Sequence, residues 1–85
     1  MMEELENIRT IIDEIDDQMA ELFNERMKAV ENVGKIKKDN GLPVNDPERE
    51  KQVITAHIDL VDERFHEAYQ RFMEQLFTIS KEQED

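Results

Sequence analysis

Residues 3–40, "EELENIRTIIDEIDDQMAELFNERMKAVENVGKIKKDN", decide the fold of this chain, because nothing in them breaks a helix except Gly34. Apolar or aligned positions fall at Ile8, Ile12, Ile15, Met19, Leu22, Arg26, Ala29, Val33 and Ile36, an unbroken alternation of four and three. That spacing is the seam of a coiled-coil-like helix. Leu5, Ile11, Phe23, Met27 and Val30 widen the stripe, so the helix touches more than one neighbour. At 1.5 Å per residue the element is roughly 55 Å long. A compact domain of this size has a radius of gyration of only about 12 Å. The helix therefore projects beyond any globule the rest of the chain can build, and its stripe needs cover along its whole length. The expected solution is an intertwined homodimer, two long helices side by side and each wrapped by the partner's shorter ones.

The remainder reads as two shorter helices. "NGLPV", residues 40–44, is a stop signal, with Gly41 at the first position past the helix and Pro43 beyond it. Asp46 followed by Pro47 is an N-cap with proline at the first helical position. Val53, Ile54, His57 and Ile58 share one face of this second helix, which Val61 would extend if the helix reached it. No Gly or Pro marks its end. The break is placed between Asp59 and Asp62, with Asp62 capping a third helix whose face is Phe65, Ala68, Tyr69, Phe72, Met73, Leu76, Phe77 and Ser80. No stretch alternates as a strand, and no repeat or low-complexity segment is present. The expected fold is all-α, one long and two shorter helices per chain, in a single domain over residues 1–85.

Composition narrows the function. The 85 residues carry 22 acids against 11 bases, a net charge of −11. Nucleic acid and anionic membranes are poor partners for such a surface, since both reward clustered Lys and Arg. No apolar run approaches the roughly 20 residues that span a bilayer, and the acidic start "MMEELENIR" is unlike a signal peptide. With no Cys, neither disulfides nor thiolate metal sites are available, which suits a reducing cytoplasm. His57 and His66 alone make a histidine metal cluster a poor expectation and read as ordinary helix-face residues. A small anion remains an acceptable ligand, provided a few cations converge on it.

Four cations do not fit a purely structural helix pair. Arg26 occupies a seam position where a Leu belongs; it is either paired with a buried acid or part of a cationic pocket whose ligand brings the compensating charge. Lys37 lies eleven residues further on, three turns away and within about 20° of the same face, although a basic helix C-terminus is ordinary. Arg49 opposes the dipole at the start of the second helix and can face the end of the first across "NGLPV". Arg9 sits near the other end of the long helix and could reach this region only from a neighbouring subunit. Each alone has a bland explanation; together they suggest an anion site.

These residues carry a resemblance. "IRTIIDEIDDQMAELFNERMKAVENVGKIK" (8–37) followed by "PVNDPERE" (43–50) resembles the all-helical class of chorismate mutases, through the order I-R, I-D-x-I-D, E-R, V-G-x-x-K and D-x-x-R-E. It covers residues 5–50, and the third helix through "FTISKEQ" (77–83). The resemblance implies an intertwined dimer of three-helix protomers that rearranges chorismate to prephenate in shikimate-derived Phe and Tyr synthesis, with no cofactor or metal. Carried over by motif, Arg26, Lys37 and Arg49 would face the substrate from one protomer and Arg9 from the other. Arg9 and Arg26 would grip carboxylates, Lys37 would reach the ether oxygen of the bond that breaks, and Arg49 would add charge against a carboxylate. Glu50 would accept from the ring hydroxyl, with the backbone around Asp46 assisting, and Ser80 would lie near the ring carboxylate. The family commonly places a Gln four residues after that Ser, donating to the ether oxygen. Here position 84 is Glu, which donates only when protonated, and Gln83 comes one residue early.

The chemistry asks for little else. An intramolecular [3,3] rearrangement moves no proton and needs no nucleophile; catalysis consists of holding the folded conformer and stabilising charge on the ether oxygen. Two other readings use the same residues. An isochorismate–pyruvate lyase shares the fold, but its pattern lacks the acid after the Arg, so "RE" at 49–50 favours the mutase. A structural dimerisation module would tolerate Leu in place of Arg26.

Overall fold

Helix α1 runs Met2–Asp39, α2 Pro47–His57 and α3 His66–Glu84, in a computed structural model that describes residues 2–85. No strand occurs among the described residues. Glu3 and Glu4 in the first turn of α1 and Lys37 and Lys38 in its last complement the helix dipole. The molecule is 57 Å in its longest dimension with a radius of gyration of 16.4 Å, well above the roughly 12 Å of a compact chain of this length. The excess is α1, whose far half has no intrachain neighbour: α3 packs on its C-terminal half and α2 on α3.

Local chemistry sets each end. Past Asp39 the chain turns through Gly41 at φ 64°, a left-handed conformation that glycine adopts without a Cβ penalty. Leu42 N–H donates to the Lys37 carbonyl at 2.8 Å and Gly41 N–H to the Lys38 carbonyl at 3.3 Å, the paired bonds of a Schellman closure. Asp46 caps α2 as the sequence suggests, its Oδ1 accepting from Arg49 N–H at 3.1 Å, with Pro47 in the first turn. The α2–α3 junction differs in detail. α2 ends at His57 and passes into a 3₁₀ turn, Ile58–Leu60, so Val61 lies beyond the helix. Asp62 caps a second 3₁₀ turn, Glu63–Phe65, through Arg64 N–H, and α3 proper starts only at His66. Such short turns leave no hydrophobic period for sequence reading to find. His57 is exposed, its Nδ1 against the Val53 carbonyl, and half-buried His66 meets the Val61 carbonyl through Nε2; both are ordinary helix-end contacts.

The core is small. Among the described residues Met73 and Phe77 are the only buried large apolar side chains, while Ile8, Ile11, Ile12, Ile15, Met19 and Leu22 stand about half exposed or more along α1. Met19, Leu22 and Phe23 of α1 and Phe72, Leu76 and Ile79 of α3 wall an open apolar groove of about 560 Å³. Asp13, Glu14, Asp16, Asp17 and Glu21 are exposed along the same helix. One glycine governs the crossing of α1 and α3: a Cβ on buried Gly34 would lie 2.5 Å from the Glu84 carbonyl oxygen and 2.8 Å from its Cα.

Candidate active site

Polar chemistry collects in a second cavity, of about 230 Å³, where α1, the 40–46 loop, the first turns of α2 and the end of α3 meet. Arg26, Lys37 and Arg49 all line it, and so do Asp46, Glu50, Ser80 and Glu84. Val33, Val53 and Phe77 supply apolar wall. Seven of the nine residues singled out from sequence therefore share one cavity. The other two lie elsewhere in this chain. Arg9 is well exposed near the start of α1, its Nη1 donating to Glu6 Oε1 at 3.3 Å in an i,i+3 pair. Gln83 is exposed and does not line the cavity.

Arg26 is half-buried, and among the described residues it has no carboxylate partner. Its Nη1 donates to Ser80 Oγ at 2.6 Å, and Ser80, buried, donates its own hydroxyl proton to the Leu76 carbonyl at 2.7 Å. That chain of bonds fixes one guanidinium nitrogen and leaves other donors of the planar fork unused. The acid-paired alternative for Arg26 is absent from this arrangement. Arg49, exposed at the mouth, likewise has no ion-pair partner among the described residues.

Lys37 is held more tightly. Its ammonium donates to the Val44 carbonyl at 3.0 Å and to Glu84 Oε1 at 2.6 Å, and both side chains of the pair are largely buried. The Schellman turn at Gly41 brings Val44 back over Lys37, and the Gly34 notch lets the backbone at Glu84 approach α1 closely enough for the ion pair. An ammonium has three donors, so one remains for a ligand.

Lys81 lines the same cavity and escaped sequence reading. Its Nζ lies 3.2 Å from Glu50 Oε2 and 3.2 Å from Asn45 Oδ1. A signal was present: Phe77, Lys81 and Glu84 follow the four-and-three spacing of one helical face. Val44, which acts through its backbone carbonyl, leaves no such signal, since any residue supplies that group.

The arrangement suits an anionic ligand smaller than a nucleotide, bound by fixed cations with one or two acceptors at the edge. The sequence pattern of chorismate mutase type II matches residues 8–85, which includes every cavity residue named above. Curated relatives agree. The chain is 47% identical over 53 residues to a chorismate mutase of Methanocaldococcus jannaschii, a match covering 62% of this chain and 54% of that protein. It is 44% identical over 53 residues to a bifunctional chorismate mutase/prephenate dehydratase of Aquifex aeolicus, covering 62% of this chain and 15% of that one. A T-protein of Haemophilus influenzae is 42% identical over 55 residues, 65% of this chain and 15% of the relative. The chain thus spans about half of the first relative and a small part of the other two. No solved structure gives a significant match. With the family's pattern running from the first isoleucine of the α1 seam to the last residue, the chain belongs to the chorismate mutase type II family.

Proposed function

We propose that this chain catalyses the rearrangement of chorismate to prephenate, in the cytoplasm, as a homodimer with shared sites. The observation that carries the reading is the convergence of Arg26, Lys37 and Arg49 on one cavity in a chain with twice as many acids as bases. Four cations and three acids line that cavity, a net of one positive charge. The partner subunit's Arg9 would raise it to two, matching a dicarboxylate. The exposed apolar stripe of α1 and the groove between α1 and α3 support the dimer, because a surface of that extent is ordinarily covered.

In this scheme Arg26 and Arg9 grip the two carboxylates and Arg49 adds charge at the mouth. Asp46 shapes the rim through its backbone and cap. Ser80, already fixed on Arg26, lies beside the ring carboxylate, and Glu50 accepts the ring hydroxyl. The substrate is thereby folded with its termini in contact, and the ether C–O bond breaks as the new C–C bond forms. Negative charge gathers on the ether oxygen in the transition state. The remaining Lys37 proton donates to it without reorganisation, because Val44 and Glu84 already hold the ammonium. Glu84, when protonated, adds a second donor. Incubating the purified protein with chorismate and following prephenate tests the assignment. Prephenate without pyruvate is expected; no turnover by a folded dimer, or release of pyruvate from isochorismate instead, would overturn it.

A further inference from the structure

We infer that Lys81 is a positioning residue that sets the ligand selectivity of Glu50, an inference that rests on Glu50 reading a ring hydroxyl. Among the described residues Lys81 makes the only polar side-chain contacts from α3 to α2 or to the loop before it. One contact goes to Glu50 Oε2 at 3.2 Å, the other to Asn45 Oδ1 at 3.2 Å. Asn45 directly precedes Asp46, whose side chain caps α2 and whose carbonyl accepts from Glu50 N–H at 3.2 Å. A single ammonium thus contacts both the Glu50 carboxylate and the side chain of Asn45, the residue just before the α2 cap.

The consequence is chemical. An ionised carboxylate accepts on two oxygens. With Oε2 taken by Lys81, Oε1 is left for a ligand, and a group restricted to accepting rewards an O–H and penalises its absence. A free Glu50 could swing to solvent when the ligand lacks the hydroxyl, so the penalty would shrink. Lys81, about one third exposed, sits at the rim and leaves direct gripping of carboxylates to the arginines. Selectivity therefore depends on a residue that need not touch the ligand.

The test compares binding of two non-reacting carbocyclic dicarboxylates that differ only in one ring hydroxyl, by calorimetry on the intact dimer. Wild-type protein should prefer the hydroxylated member by at least about tenfold, as expected for a hydrogen bond to a charged acceptor. Lys81→Met should cut that preference about fivefold, the upper range for an ion pair about one third exposed. Lys81→Arg should restore it, and Lys81→Met should change nothing once Glu50 is Gln. An unchanged preference in Lys81→Met, or equal weakening of both ligands, would make Lys81 a source of bulk charge only and overturn the inference. So would a wild type indifferent to the hydroxyl. Absence of chorismate turnover, by contrast, strikes the catalytic assignment alone, because the preference is read without turnover.

Discussion

Lys37 has three N–H donors and two acceptors in the chain, and the remaining donor is where catalysis is expected to reside. Removing one preorganised donor to a developing oxyanion typically costs roughly 10²- to 10³-fold in kcat. Lys37→Ala should show that loss with helix content intact, whereas Lys38→Ala, about 100° around the helix, should do little; equal effects would misplace the site. Glu84 raises a different question. As a carboxylate it can only accept, and it accepts from Lys37; an amide can accept from Lys37 and donate to the ether oxygen at once. Glu84→Gln should therefore raise kcat at neutral pH. An indifferent Glu84→Ala variant would remove Glu84 from the reaction. Gln83→Ala, at an exposed position, should be silent in the same assay.

At the scale of elements, the end of α3 depends on the surface of α1 beneath it. A methyl group on Gly34 would meet Glu84 backbone atoms at 2.5 and 2.8 Å, so the terminus must lift or slide. Gly34→Ala also gains up to about 1 kcal/mol of helix propensity, which offsets part of the strain. The expected result is a melting temperature near that of the wild type with kcat reduced at least tenfold through displacement of Glu84; unchanged kcat would mean that the terminus has no role in turnover. What was legible in sequence follows the same division between local and distant causes. Gly41, Asp46 and Pro47 act within one turn of the chain, and the helix ends they fix are where reading places them. Arg26 announced itself by breaking a regular seam. The two 3₁₀ turns between α2 and α3 have no period to detect, and the Lys81–Glu50 pair joins residues of two separate helices through geometry that only packing determines.

The whole molecule is an extended chain with too little core for its apolar surface. Sedimentation at micromolar concentration should give about twice the 10.1 kDa chain mass; a folded, active monomer would defeat both the assembly and the role of Arg9. Mixing Arg9→Ala with Arg26→Ala chains is a sharper measurement, since each heterodimer would regain one intact site. No recovery despite confirmed heterodimers would count against shared sites. The acids exposed along α1 have an effect that only shows in motion. At net charge −11 per chain, an approaching dianion is repelled before it can sense the cations in the cavity. The range of that repulsion is about 30 Å in 0.01 M salt and about 10 Å in 0.1 M. Raising salt between those limits should therefore increase kcat/KM, the reverse of electrostatic steering, and a decrease would show that the cavity's own field governs the encounter. The exterior thus taxes arrival while the interior rewards it, and ionic strength sets the balance between them.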